Sequence, residues 1–463
     1  MEANMTHPEW ALKFKTKGTE LRNMNGKYHL YNVTSKRDPV TKKTKKITLS
    51  HIGTITEEYG LIPTGMIKRG KIPAGESPLK TAPKEEVDFL DIFEKIEDPR
   101  SDKNQLYTVS EILLVTLCAV ICGANGWCDV ENYGKSKINH LRQYLDYNNG
   151  VPSDDTIRRF YRSIDPSAFE KLFREWVSNL AKKVDAQVIA IDGKCSRHSF
   201  DGDGNMLHMI SAFATEARIV LGQEKVSEKS NEITAIPKML DWLDVKGHII
   251  TIDAMGCQYE IANQIIKKEG DYIFSLKGNQ GNLSEDVKLY FEDDKLYLED
   301  AKLKTTSSHI DYDKDHGRLE TRECRVTNNI DWLNKRHDNW RTIKSIIEIK
   351  STREIQGKAT KETRYYISSL DTSADKILQS IRSHWAIENS LHWVLDMSFN
   401  EDYSRIRKEN APHVMAIFRH IALNLLQTAK RTEDSLKRQS IVGLRKICGW
   451  DEKKLELVIA QKI

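Results

Sequence analysis

Three acids stand where a chain could do phosphate chemistry. Asp192 closes the run Val188-Ile189-Ala190-Ile191, Asp253 closes His248-Ile249-Ile250-Thr251-Ile252, and Glu388 lies in the helix-like stretch IRSHWAIENSLHWVLD. A carboxylate that follows β-branched residues sits at the carboxyl edge of a sheet, where open α/β sheets place ligands. Two such acids from neighbouring strands, with a third from a helix laid over them, make an oxygen-only site of the kind Mg²⁺ prefers. A pair of metal ions ~3.5–4 Å apart would activate a water or a 3′-hydroxyl and stabilise the leaving oxygen, which is in-line phosphoryl transfer. The metals would also offset the repulsion between clustered acids and an anionic phosphodiester.

Each acid taken alone is equally a turn or helix cap, so the neighbours matter. Gly193 permits a close backbone approach beside Asp192, and Lys194 puts a cation at the supposed phosphate site. His384, Glu388 and His392 are spaced i, i+4, which turns all three to one face of a helix. The two histidines could be metal ligands, although chemistry by Asp and Glu alone is the simpler account. Trp385, Leu391 and Trp393 supply apolar bulk nearby. The aromatic pairs Trp385 with Trp393 and Tyr28 with Tyr31 have two readings, as surfaces on which an unpaired base stacks or as packing, and Trp385 and Trp393 read as core.

The elements that must position these acids follow from periodicity. Ala186–Ile191, Leu207–Ala214, Arg218–Val226, His248–Ile252 and Tyr272–Leu276 read as strands, with amphipathic helices at Glu232–Leu243 and Gln258–Glu269. Three consecutive strands followed by helix-separated ones predict an antiparallel meander with parallel additions, a mixed sheet flanked by helices. Residues 281–365 form a charge-rich β-like stretch including Glu320–Thr327 and Ile343–Ile349, and 373–430 are strongly helical. Upstream, 98–182 read as helical, with Ser110 as N-cap of an apolar core helix and further helices from Pro152–Asp155 and over Pro166–Leu180. Phe169, Phe173 and Trp176 recur there at helical spacing and read as core; Arg158 and Arg159 are candidates for phosphate contact.

Composition narrows the class. The 463 residues are 39% hydrophobic and 30% charged, an ordinary globular balance, so a disordered or collagen-like chain is excluded. The net charge is only +4, yet residues 1–80 hold 15 Lys/Arg and 7 Asp/Glu, or +8. Within them Lys27–Thr34 and Lys46–Ile52 predict a hairpin whose link carries Lys36, Arg37, Lys42, Lys43, Lys45 and Lys46, a charge pattern suited to DNA. Residues 64–90, with Gly and Pro at intervals, read as a linker. The seven cysteines form no CxxC pair and read as buried thiols of a reducing compartment, with a disulfide framework or zinc site not expected. The N-terminus lacks an apolar signal core, and the longest apolar run, Ile112–Gly123, falls short of the ~20 residues that span a bilayer. A soluble cytoplasmic protein is expected.

The stretches IAIDGK, ITIDAMGCQ, DYIFSLKGNQ and RSHWAIENSLHWVLDMSFNED resemble the catalytic core of DDE transposases of bacterial insertion sequences, in the branch containing the H-repeat-associated proteins. Residues 94–182, with DPR, CGANGW and NGVPSDDTIRRF, are similar to the helical domain that precedes that core. The likeness implies an RNase H-like α/β core, with Asp192, Asp253 and Glu388 as the DDE triad binding Mg²⁺, or Mn²⁺ in its place, two ions per site. It implies an enzyme that works as a homodimer on double-stranded DNA at terminal inverted repeats and on target DNA, in a bacterial, nucleoid-associated setting. Lys194, Gln258, Lys277, Asn389 and Asp396 fall on neighbouring motif positions. Lys277 is expected at DNA phosphate, and Asn389 and Asp396 are expected to orient the helix or a metal-bound water.

The implied plan runs as a small basic β-rich domain over 1–70, a linker over 71–93, and a helical transposase-associated domain over 94–182. The core follows at 183–280 and 366–430, interrupted by a β-rich insertion over 281–365, with a helical basic tail over 431–463. Some positions depart from the family pattern. Cys195 stands where threonine is usual and His198 where glycine is usual. Around Glu388 the Tyr-x2-Arg-x3-Glu-x6-Lys signature is not met, since His384 and Leu395 hold its arginine and lysine positions, so its hairpin-forming route is not implied. A domesticated relative acting through DNA binding or regulation, and a general metal-dependent nuclease on the same scaffold, are the competing readings.

Overall fold

The computed structural model describes residues 8–24, 27–37, 44–56, 60–63, 92–101, 105–181, 187–199, 206–226, 232–302, 305–315 and 318–461. The expected linker over 64–90 lies outside the described residues. The chain divides into two compact units, Met1–Ala119 with Trp127–Phe160, and Val120–Gly126 with Tyr161–Ile463.

In the first unit, β1 (Thr19–Met24), β2 (Lys27–Arg37), β3 (Thr44–Thr56) and β4 (Gly60–Pro63) form an antiparallel sheet in sequence order. The alternation of Leu21, Leu30 and Ile55 buries one face around Ala11, so a small core exists here. The expected hairpin is present as β2 and β3, whose ladder runs out to Lys36 opposite Lys45 and Arg37 opposite Thr44. Lys42 and Lys43 lie outside the described residues, and only the backbone of Lys36, Arg37, Lys45 and Lys46 is described.

The apolar helix of this unit spans Val109–Ile121, and its cap differs from expectation. Thr108, not Ser110, receives the Glu111 N–H at 3.1 Å, while the Glu111 carboxylate accepts the Thr108 N–H at 2.8 Å. This reciprocal pair is a capping box, and it outcompetes Ser110 because it satisfies two orphan donors together. On the helix Asp154–Ser163, Arg158 is ion-paired to Asp154 at 2.7 Å and Asp155 at 2.8 Å, and Arg159 donates to the Asp155 carbonyl at 3.2 Å. Arg158 is thus held by two acids of its own helix and Arg159 by a carbonyl of the same turn.

The second unit is built on a nine-stranded mixed sheet. Its strands are β5 (Val188–Ser196), β6 (Leu207–Ala214), β7 (Ile219–Val226), β8 (Ile249–Ile252), β9 (Asp271–Leu276), β10 (Thr306–Asp315), β11 (Arg318–Thr327), β12 (Ser345–Ile355) and β13 (Lys358–Ser368). Their order is β10-β11-β12-β13-β9-β8-β5-β6-β7. As expected, β5, β6 and β7 form an antiparallel meander, and β8 and β9 add in parallel beside β5. The charge-rich stretch opens with two helices, Gly281–Glu292 and Asp294–Lys302, and then supplies β10–β13, which continue the same sheet through the β13–β9 pairing.

Helices flank this sheet. Glu232–Trp242 packs on β6 and β7, and Ala374–Ala386 packs on β5, β8, β10 and β11. The apolar side of Ala374–Ala386, through Ala374, Ile377, Leu378 and Ile381, meets Ile273, Cys324, Val326, Ile347 and Ile349 of the sheet. Pro166–Ala181 buries Phe169, Phe173 and Trp176, as its spacing predicts. The helix Ala411–Thr432 is buried along most of its length, and Asn424 from it exchanges both hydrogen bonds with the Val220 backbone at 2.8 and 2.9 Å. That contact occupies backbone groups on the edge strand β7, which would otherwise be open to pairing. The C-terminal helices Ile441–Trp450 and Glu452–Ile459 bury Leu444, Cys448, Leu455 and Val458 and pack on the same long helix.

No disulfide joins the seven cysteines, but Cys128 is exposed and Cys122 and Cys195 are half-buried, so the reading of all seven as buried is corrected. No described helix is long and apolar enough to cross a membrane.

Candidate active site

The strand β5 carries the first acid, at a position the sequence misjudged slightly. Asp192 does not close the strand, which continues to Ser196 paired with β6. The ladder between β5 and the shorter β8 ends at Ile191 opposite Ile252. Asp192 and Asp253 therefore each follow the last residue of that parallel pairing, at the carboxyl edge where the sheet opens. Asp253 Oδ1 accepts the N–H groups of Met255 at 3.1 Å and Gly256 at 3.3 Å, which folds the loop behind the acid. Two residues of the KGNQ motif brace that loop. Asn279 donates to the Ala254 carbonyl at 2.7 Å and Gln280 to the Cys257 carbonyl at 2.5 Å. The sequence motif alone does not announce this bracing.

The third acid sits in an irregular turn. Ile387–His392 is π-helical, with the Trp393 N–H donating to the Glu388 carbonyl. An extra residue in a turn shifts everything after it by about 100° around the axis, so the expected single face of His384, Glu388 and His392 is not kept. His384 Nδ1 meets Thr251 Oγ1 at 2.9 Å on β8, and His392 Nδ1 lies 3.7 Å from Asp192 Oδ2. Glu388 is exposed, in an open groove of about 510 Å³ shared with Asn389, Trp385, Arg364 and Arg382. Such single π turns occur often at functional positions. Trp385 is 40% and Trp393 59% exposed, so the core reading of both is corrected. Trp393 follows the irregular turn and so cannot be placed from α-helical spacing, whereas Trp385 precedes it on the regular helix, its ring under the Arg364 guanidinium.

Electrostatics bind the three acids together. Burial pushes Asp192 up to about 7 against the help of the Gly193 N–H, and the charges of Asp253, Glu388 and Glu232 add to the push. Among the described residues neither lysine nor arginine is paired with Asp192, Asp253 or Glu388. The nearest ring, His392, is held neutral because burial takes it down to about 4, with Lys194 helping. No three Asp, Glu, His or Cys side chains among the described residues converge closely enough to hold a metal as they stand. The donor chemistry nevertheless fits a hard divalent cation, since the charges of Asp253 and Glu388 act on Asp192 and none of the three carboxylates is paired with a lysine or arginine among the described residues.

Lys194 is elsewhere than expected. Instead of facing a phosphate, its ammonium is 2.6 Å from Asp396, 3.2 Å from Glu401 and 3.4 Å from Asp402, and its side chain is 11% exposed. Burial opposes its charge, but Glu401, Asp396 and Asp402 more than reverse this and hold the ammonium above its usual range. Glu401 in turn meets the buried Arg419 at 3.4 Å. The Arg197 N–H donates to Asp402 at 3.2 Å and its guanidinium approaches the same acid at 3.4 Å. Three cations thus tie β5 and the long buried helix to the segment after the Glu388 turn. Asp396 belongs to this clamp. Gln258 occupies the N-cap position of Tyr259–Lys267 without a side-chain cap bond, and Lys277 is exposed just after β9, its charge reaching Glu362 on β13.

Comparison with known proteins meets this geometry from another side. The family described as "Transposase DDE domain" matches residues 183–425, and the one described as "DDE_Tnp_1-associated" matches 90–177. The chain belongs to the DDE transposase family. It is 43% identical over 350 residues to "H repeat-associated putative transposase YhhI" of Escherichia coli (strain K12), covering 74% of this chain and 91% of that one. It is 41% identical over 356 residues to "Putative transposase YncI" of Escherichia coli O157:H7, covering 76% of this chain and 90% of that one. A solved piggyBac transposase synaptic complex with hairpin DNA aligns over 81% of this chain and 75% of that one at 9% identity with a TM-score of 0.35, too distant to argue from.

Proposed function

We propose that this transposase cuts and joins DNA at the terminal inverted repeats of an insertion sequence, through Asp192, Asp253 and Glu388. One observation carries the reading. Asp192, Asp253 and Glu388, from β5, the β8 loop and the π turn, have no lysine or arginine paired with them among the described residues, and burial, with the charges of Asp253 and Glu388 adding to it, drives Asp192 up to about 7. Divalent metal ions bound there would polarise the scissile phosphate and lower the pKa of the attacking water or 3′-hydroxyl. The chain's own part is to hold the acids apart on rigid elements. Thr251 anchors His384 and Lys194 anchors Asp396, which fixes the turn carrying Glu388 on both sides. An RNase H-like core is supported by the strand order β7-β6-β5-β8-β9, with Asp192 on its first strand.

The further parts of the proposal rest on charge and on the family. The β2–β3 hairpin with its cationic link is the DNA arm of a basic N-terminal domain over 1–70. Lys277, exposed just after β9, and Arg364, in the groove that holds Glu388, meet DNA phosphate in this reading, and Asn389 orients the attacking group. Action as a homodimer at two element ends belongs to the same reading.

The test uses linear DNA carrying the gene's own flanks, with Mg²⁺ or Mn²⁺, comparing wild type with Glu388→Gln. Defined cuts at both ends, lost in the variant and without metal, are the expected outcome. Random nicking by wild type would replace the transposase reading with a general nuclease. Tight binding to those ends without cutting would leave a DNA-binding or regulatory role.

A further inference from the structure

The residue after Asp192 is glycine, and the space a side chain would fill there is occupied. A Cβ on Gly193 would stand 2.6 Å from Glu232 Oε1 and 2.9 Å from His208 Nε2. Those two atoms are themselves paired at 2.8 Å. Nothing of ordinary size fits between the pair and the strand, so the glycine of the IDGK stretch is required by this close approach. What comes close to the backbone here is a second acid with its histidine.

His208 lies on β6, opposite Cys195 in the register with β5, and is 4% exposed. Its other ring nitrogen, Nδ1, is buried without a hydrogen-bond partner. Glu232 opens the helix Glu232–Trp242, and its side chain is 15% exposed. An acid at a helix N-terminus is favourable by itself. That does not explain why this one is turned onto the strand of Asp192 and clasped by a buried imidazole. A carboxylate so enclosed costs free energy unless positive charge or hydrogen bonds compensate it. Its charge also acts on Asp192, alongside those of Asp253 and Glu388.

We infer that Glu232 is a fourth carboxylate of the active site, held by His208 against Gly193 so that its charge joins those of Asp192, Asp253 and Glu388 in attracting a divalent cation. The inference rests on the three-acid reading above. Glu232 is a positioning residue in this account: it acts on the cation through the field at Asp192 and touches no substrate.

The test is a Mn²⁺ titration of the full-length protein without DNA, followed by calorimetry or by the electron paramagnetic resonance of free Mn²⁺. Glu232→Gln keeps the size of the side chain and an oxygen that can accept from His208, while removing the charge. It should weaken Mn²⁺ binding by about tenfold, in the range typical of outer-shell partners of a metal site. Asp192→Asn should weaken it further. Glu232→Asp, which restores the charge on a shorter stem, should recover most of the affinity, whereas a loss caused by disturbed packing would persist in it. Wild-type affinity in Glu232→Gln with a clear loss in Asp192→Asn overturns the role of Glu232 alone. An equal loss in Glu232→Gln and Glu232→Asp overturns it as well, because packing and not charge would then be responsible. Unchanged affinity in both Asp192→Asn and Glu388→Gln overturns the three-acid site, and this inference with it.

Discussion

Two acidic clusters lie within a few residues of each other on β5, and they are treated in opposite ways. Around Lys194, the acids Asp396, Glu401 and Asp402 are matched by Lys194, Arg419 and Arg197. Around Asp192, the acids Asp253, Glu388 and Glu232 have among the described residues no lysine or arginine paired with them, and the only ion-pair contact of Asp192, to His392, involves a neutral ring. The first cluster is complete as the chain folds and serves to hold elements together. The second has no such match, and in the proposed function what completes it is a cation from outside. A carboxylate cluster therefore has to be judged by its partners rather than by its acids.

The contrast can be broken most severely at the incomplete cluster. Asp192→Asn, Asp253→Asn or Glu388→Gln should each lower cleavage by about three orders of magnitude or more, as removal of a group essential to the chemical step does, with binding to the same DNA retained. Near-wild-type cleavage by any one of them would remove that residue from the site.

The complete cluster should answer through stability. Lys194→Met leaves three acids without their nearest cation and should cost about 3–5 kcal/mol, the range for breaking a buried pair. Glu401→Gln strands the buried Arg419 and should cost a similar amount, read from denaturant midpoints. A loss below about 1 kcal/mol, the level of an exposed pair, would make the clamp ornamental.

A pH series sharpens the difference in sign. The folded-state value of Asp192, about 7, lies above its ordinary 3.8. Between those two values the unfolded chain binds fewer protons than the folded one, so stability falls as pH rises from about 4 to 7. The ceiling of this loss is about 4 kcal/mol from ~3 units of displacement. Divalent cation should restore it, and wild type but not Asp192→Asn should show the effect in melts at pH 5 and pH 8. The smallest effect concerns the hairpin. Neutralising Lys42, Lys43, Lys45 and Lys46 should weaken DNA binding and flatten its salt dependence by up to about 3–4 in log–log slope, measured by titration at several salt concentrations. An unchanged slope would remove the hairpin from the DNA-binding surface.

How much of this was legible beforehand depends on the range of the interaction. The strands β5 to β9 were legible because their β-branched runs are local signals, and Asp192 and Asp253 came with them as the acids that follow those runs. Glu388 was legible through its motif and its flanking histidines. The π turn was not, since it departs from helical spacing without a proline or glycine to mark it, and the exposure of Trp393, which follows it, was misread along with it. The partners of Lys194 lie about two hundred residues away along the chain, beyond a charge-rich stretch, and no local pattern announces them. Glu232 looked like any acid opening a helix. The missing Cβ of Gly193 was legible as a close approach, but not what approaches.

The measurement that tests the central contrast most directly is thermal melting at pH 8 of wild type, Asp192→Asn and Glu401→Gln, each in chelator and in Mn²⁺. In chelator, Asp192→Asn should melt above wild type and Glu401→Gln below it. Mn²⁺ should raise the melting temperature of wild type and Glu401→Gln and leave that of Asp192→Asn in place. If Asp192→Asn instead melts below wild type in chelator, and Mn²⁺ moves all three alike, the acids around Asp192 are already satisfied within the fold, and the account of an incomplete site awaiting a cation is wrong.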